Sequence, residues 1–179
     1  FFLIIVIFST FKYHEVYNEK RKFLDLQNAN LKIAIKAKVL DDKFNELSWI
    51  TPIYFSNNPK GEIDILKKSL SILKSDKSEK MLITHYQFFS LILNKNLNIP
   101  NRWYFPNNTF PSSYENKYYQ HYISKFREKI INKNIDTIYL LETYPGEFDF
   151  LNFEELIGKN CYQREKQNQL LSKIKLLKC

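Results

Sequence analysis

The chain opens on Phe1-Phe-Leu-Ile-Ile-Val-Ile-Phe8, eight consecutive apolar residues that are β-branched or aromatic apart from one leucine. A complete bilayer span needs about 20 such residues, so this run does not cross a membrane alone. Starting inside an apolar stretch without an initiator Met, it reads as the end of a truncated transmembrane helix over residues 1–12, with the lipid bilayer as partner. A signal-peptide core is the rival reading, but no basic stretch precedes it and no small-residue cleavage site succeeds it. A buried first strand is the other alternative. Lys12, Lys20, Arg21 and Lys22 beside this end would place the downstream domain in the cytoplasm by the positive-inside rule, which weakens for long domains.

Behind the apolar run, residues 13–30 are polar with apolar Val16, Phe23, Leu24 and Leu26, a pattern expected of a helical connector. Residues 31–179 then have the length and apolar content of one domain with its own core. Three glycines and six prolines leave no material for a phosphate-binding loop or a collagen-like repeat. The net charge of +8 invites a nucleic-acid reading. Against it, the lysines are scattered among Asp41, Asp42, Glu62, Asp64, Glu142, Glu147 and Glu154, and arginines are few, so no nucleic-acid partner is expected.

Periodicity divides the domain. Leu31–Lys38 alternates apolar with polar residues, as a half-buried strand does. Asn58 as cap, Pro59 in the first turn and Ile63, Leu66, Leu70 and Leu73 at spacings of three and four predict a helix. Lys80–Thr84 is an apolar run suited to a central strand of a parallel sheet. Phe88–Leu93 is apolar nearly all round and predicts a buried helix. The loop Asn94–Ser113 carries Trp103, Tyr104, Phe105 and Phe110. A second amphipathic helix is expected over about Asn116–Asn132, and a strand over Asp136–Leu141. The last 20 residues read as a helix with an edge strand, or as one helix. Alternating strand and helix gives the expected fold class: α/β, a small layered domain with a mostly parallel sheet flanked by helices.

Ligands in open α/β sheets bind beyond the carboxyl ends of strands. His85, Tyr86 and Gln87 come after the first strong strand, and Glu142, Thr143 and Tyr144 after the second. If these strands are parallel neighbours, His85 and Glu142 converge, as a general base with its orienting carboxylate or as ligand contacts. A cap or internal hydrogen bond at His85 is the bland alternative. His85, Gln87, Trp103 and Glu142 are thus the candidate ligand-binding residues. The ring of Trp103 suits a sugar or a lipid headgroup, or simple packing. No nucleophile elbow, Walker loop, dinucleotide fingerprint or zinc spacing is present, so neither cofactor nor metal is expected. Asn107-Asn-Thr109 matches a glycosylation acceptor, a triplet expected by chance in an Asn-rich chain. Cys161 and Cys179 are a possible disulfide in an oxidising compartment and free thiols in a reducing one.

At Trp49-Ile-Thr-Pro52, Met81-Leu-Ile-Thr-His-Tyr-Gln-Phe-Phe89, Asn160-Cys161 and Lys178-Cys179, the chain resembles the C-terminal soluble domain of uncharacterised bacterial polytopic membrane proteins. Those proteins are similar to glycosyltransferases of the GT-C type, which use polyprenyl-phosphate-linked sugars. The resemblance implies a multi-pass inner-membrane enzyme whose catalytic carboxylate lies upstream of Phe1, so no catalytic residue falls in this chain. It also implies an extracytoplasmic domain, a Cys161–Cys179 bridge, and a lipid-linked sugar or glycan acceptor as partner. The alternatives are a membrane-anchored interaction module without enzymatic activity and a self-contained hydrolase with His85 as base.

Overall fold

The computed structural model describes residues 2–19, 30–51, 54, 55, 57–106 and 108–178. A four-stranded sheet lies at its centre, formed by β3 (Lys80–Thr84), β4 (Thr137–Leu141), β5 (Tyr162–Lys166) and β6 (Leu171–Leu176) in the spatial order β3-β4-β6-β5. Helix α2 (Pro59–Ser75) packs on one face and α4 (Tyr119–Asn132) on the other. The short helices α3 (Phe89–Leu93) and α5 (Phe153–Leu156) accompany them. Near the start, β1 (Ile35–Lys36) and β2 (Ser48–Trp49) form a separate antiparallel pair.

Burial obeys the two-residue period of a strand. Met81, Ile83, Ile138, Leu140 and Ile174 join the core beneath α4, whereas Leu82, Tyr139, Leu141 and Leu171 join the core beneath α2. Every residue of β3 and β4 is buried. That explains their near-continuous apolar runs, because a strand covered on both faces has no polar side to display.

The mixed α/β class with helices flanking the sheet is observed, but the sheet is mostly antiparallel rather than mostly parallel. Within it β3 and β4 run parallel, while β6 is antiparallel to both β4 and β5. The cause lies at the C-terminus, where the expected helix is a β-hairpin. In Leu171-Ser-Lys-Ile-Lys-Leu176, Leu171 and Ile174 are fully buried beside Leu141 and Ile138, and cross-strand pairing prevails over helical spacing. The partner strand Tyr162-Gln-Arg-Glu-Lys166 sits at the sheet edge and is almost wholly exposed, so it carries no apolar signal. The Asn168 side chain closes the turn, its Oδ1 accepting from the amides of Leu170 and Leu171 at 2.9 and 2.8 Å.

β3 is likewise terminal rather than central. Its outer edge is nonetheless covered: the Leu82 amide donates to the Leu97 carbonyl at 2.9 Å, and the Asn98 side chain donates to the Lys80 carbonyl at 3.0 Å. The predicted strand over Leu31–Lys38 is mostly 3-10 turns with the two-residue β1 inside it. Its lysines face solvent without a long partner strand to hold them extended. α3 is short and buries Phe89 but leaves Leu91 exposed.

α2 forms as its sequence predicts. The Asn58 carboxamide accepts from the Gly61 amide at 2.9 Å, Pro59 occupies the first turn, and Ile63, Leu66, Leu70 and Leu73 are buried. The buried Lys80 ammonium closes the far end by donating to the Leu73 and Asp76 carbonyls, among the last acceptors that a helix leaves unpaired. With so few glycines, asparagine takes the left-handed turn positions at Asn94, Asn98, Asn134 and Asn160.

α1 (Phe2–Tyr13) has 12 residues, all exposed, and would be about 18 Å long. Among the described residues no helix is long and apolar enough to cross a membrane. A π-helix at His14–Glu19 comes next. The rest of the expected connector, with Lys20, Arg21, Lys22, Phe23, Leu24 and Leu26, lies outside the described residues.

Asp76 ties α2 to the sheet, accepting from the Tyr139 hydroxyl at 2.5 Å and pairing with Lys173 at 2.8 Å. Burial alone would raise its pKa, but the bonds from Lys173, Tyr139 and Ser78 outweigh it and hold the carboxyl well below its ordinary 3.8. A depressed folded pKa gives stability that is full above the unfolded value and lost as pH falls beneath it. The urea midpoint should therefore drop as pH is lowered from 5 towards 2, and Asp76→Asn should both lower the midpoint at pH 7 and flatten that acid slope. An unchanged slope in the variant would refute the assignment.

Candidate functional site: a cleft at the ends of the parallel strands

The parallel register aligns Thr84 with Leu141, so His85 and Glu142 leave the sheet side by side. Strand alternation then sends His85 towards the α4 face and Tyr86 towards the α2 face. A pocket lies on each side of this strand end, and both are lined by Thr143.

The first pocket, about 430 Å³, is floored by His85 and walled by Tyr104, Phe105, Tyr144 and Phe150. Four rings surround the imidazole: Phe148 stacked at 5.9 Å, Tyr104 edge-on at 5.8 Å, Phe105 at 5.4 Å and Trp103 at 6.3 Å. Its Nε2 faces the Glu147 carboxylate at 3.7 Å. Glu147 is itself held by Thr143, whose amide donates at 2.6 Å and whose hydroxyl donates at 2.7 Å. The arrangement is a chain, Thr143 to Glu147 to His85, at the base of an aromatic wall.

The carboxylate beside His85 is therefore Glu147 and not Glu142. Glu142 is buried with Oε1 lacking a partner; burial raises its pKa, and the amides of Phe148 and Gly146 offset part of that cost. It braces the turn after β4 instead of facing the cleft. Tyr144-Pro-Gly146 is the local device that brings Glu147 back to the strand end, with Gly146 in the left-handed region at φ +83°. Sequence reasoning selects Glu142 and misses Glu147, for which Pro-Gly immediately after a strand is the available signal.

Gln87 is a tether. Its side-chain amide donates to the Thr84 carbonyl at 2.7 Å and to the Arg102 carbonyl at 3.2 Å, fixing the aromatic loop to the end of β3. In that loop Trp103 and Phe105 are about half exposed, at 48% and 53%, and lie nearly parallel with ring centres 6.4 Å apart. Tyr104 between them is buried, and its hydroxyl accepts from the Asn101 amide at 3.2 Å. Asn107, the first residue of the glycosylation triplet, lies outside the described residues.

The second pocket, about 200 Å³, is lined by Trp49, Thr51, Tyr54, Glu62, Tyr86 and Thr143. Glu62 is buried, and burial raises its pKa against hydrogen bonds from the Tyr86 hydroxyl and the Trp49 indole, the latter at 2.7 Å. Trp49 stacks on Tyr86 at 6.4 Å. Sequence reasoning did not select Glu62 because it lies within the helical pattern of α2, where an acid in the first turn reads as a dipole partner.

Neither pocket is lined by Lys or Arg among the described residues. The contrast with a chain of +8 charge is sharp. Imidazole, carboxylate and hydroxyl groups beneath exposed ring faces can exchange hydrogen bonds with a polyhydroxylated ligand while its apolar face stacks. Cys161 is not a free thiol, and Cys179 lies outside the described residues. His14 and His121 are both exposed on helices, away from the strand-end residues in sequence.

The alternation within the loop predicts a sharp contrast in thermal or urea unfolding. Trp103→Ala and Phe105→Ala should each cost under about 1.5 kcal/mol, whereas Tyr104→Ala should cost about 3–5 kcal/mol. Equal losses at all three positions would show that the exposed pair belongs to the core. Comparison with protein-family models, with curated proteins and with solved structures gives no match for this chain.

Proposed function

We propose that the chain is the accessory saccharide-recognition domain of a multi-pass membrane glycosyltransferase that uses a lipid-linked sugar donor. It binds the sugar portion of a donor or glycan acceptor in the His85–Glu147 cleft and does not itself supply the catalytic carboxylate. The observation that carries this reading is the exposed, nearly parallel Trp103–Phe105 pair beside His85, of which Phe105 lines the pocket together with His85, Glu147 and Thr143. Exposed ring faces give the apolar face of a sugar a surface to stack on, and the polar floor supplies orientation.

Two further features support the reading. Two of the segments that resemble the glycosyltransferase domain, Trp49-Ile-Thr-Pro52 and Met81–Phe89, contribute Trp49, Thr51, His85 and Tyr86 to the two pockets. The exposed apolar α1 suits association with a bacterial inner membrane, and the glycosyltransferase resemblance implies that the domain works on its extracytoplasmic side. That same helix also favours the second reading, a membrane-anchored interaction module without enzymatic activity. A hydrolase with His85 as base is less well served: the nearest hydroxyl partner of Glu147, Thr143, donates to that carboxylate and not to His85.

Binding is measurable by tryptophan fluorescence and, for the Trp103 variant, by isothermal titration, with the chain held in a detergent lacking sugar headgroups. Titration with glucose, galactose, mannose and N-acetylglucosamine should shift the emission for at least one of them, and Trp103→Ala should weaken its affinity roughly tenfold. In membranes containing the full-length protein, His85→Ala should reduce sugar transfer without abolishing it. Complete loss of transfer would make His85 catalytic, and an unaltered rate would favour the interaction module.

A further inference from the structure

We infer that the recognition site is two sugar rings long, straddling the end of the sheet at Thr143, and that it selects neutral or amino sugars over anionic ones. This rests on the saccharide reading above and extends it to ligand length and charge. The 430 Å³ pocket falls within the roughly 300–1,000 Å³ usual for ligand sites, while the 200 Å³ pocket falls below it. The smaller pocket is therefore the candidate for a second ring only in company with the larger one. Thr143 lines both, and its side chain is held in place by its hydroxyl bond to Glu147.

The two pockets repeat one chemistry. Each pairs aromatic faces with a carboxylate held by hydrogen bonds: His85, Phe105 and Glu147 in one; Trp49, Tyr54 and Glu62 in the other. Tyr54 stands half exposed at the outer wall of the second pocket, packed edge-on against Phe55 at 4.8 Å. Glu62 receives one bond on each oxygen, from Trp49 on one and Tyr86 on the other. A carboxylate offers about four acceptor sites, so both oxygens keep capacity for ligand hydroxyls. With Glu62 and Glu147 in the pockets and no Lys or Arg lining them among the described residues, a uronic acid or sugar phosphate finds acceptors there and no Lys or Arg to pair with. The phosphate of a lipid-linked donor is accordingly held elsewhere, and this cleft reads the glycan.

Isothermal titration with cellobiose, maltose and chitobiose, each against its own monosaccharide, decides the matter. At least one disaccharide should bind tenfold or more tightly than its monomer. Tyr54→Ala should erase that gain, and glucuronic acid should bind at least tenfold more weakly than glucose. Equal affinities for dimer and monomer, or a gain that survives Tyr54→Ala, would overturn the second subsite while leaving the saccharide reading intact. Glucuronic acid binding as well as glucose would overturn the charge selection. If none of these sugars binds to chain whose circular dichroism shows it folded, both the saccharide reading and this extension fall.

Discussion

The parallel pairing of β3 with β4 is the constraint on which the rest of the domain depends. Two parallel strands cannot be joined by a tight turn, so the chain between them must travel the length of the sheet and return. That return passage contains α3, the aromatic loop and α4. It leaves β3 at its carboxyl end, and so the loop with Trp103, Tyr104 and Phe105 starts where His85 and Thr143 emerge. The Gln87 side chain then fastens loop to strand. Had β3 and β4 been antiparallel, their carboxyl ends would lie at opposite edges, and no cleft would join them.

Burial on both faces makes that pairing hold. The α2 face and the α4 face each contribute a full apolar layer, and β3 and β4 are inside both. Polar groups that enter this interior are tied off. Lys80 closes the end of α2, Asp76 joins Tyr139 to Lys173, and Asn98 seals the free edge of β3. Each spares a buried donor or acceptor the loss of its solvent partner. Glu142 departs from this pattern, with one carboxylate oxygen unpartnered inside the fold. Its position directly under the Tyr144-Pro-Gly146 turn ties that cost to the placement of Glu147.

The cleft inverts the charge of the molecule around it. A chain of 27 Lys and Arg and 19 Asp and Glu brings Glu62 and Glu147 to the strand ends with no Lys or Arg lining the pockets among the described residues. Long-stemmed lysines reach solvent readily from exposed faces. The carboxylates are kept inward by specific donors, the indole of Trp49 and the hydroxyls of Tyr86 and Thr143. Recognition through hydroxyls and ring faces is what such a surface suits.

The sequence by itself determined the elements whose signals are local. The Asn58-Pro59 cap with its apolar stripe, the runs at Lys80–Thr84 and Thr137–Leu141, and the spacing of Tyr119, Tyr122, Phe126 and Ile130 all carry their period within one segment. It also pointed to His85 and Trp103, because polar groups after a buried strand and aromatics in a long loop are unusual wherever they occur. Tertiary structure decided what depends on a distant partner. Tyr162–Lys166 is a strand only because β6 pairs with it, and Leu171–Leu176 is a strand only because β4 offers its other edge. Glu147 displaces Glu142 as the partner of His85 because a turn folds it back, and Glu62 enters the site from a helix far upstream. Period and composition are properties of neighbours in sequence, whereas pairing and convergence are properties of neighbours in space.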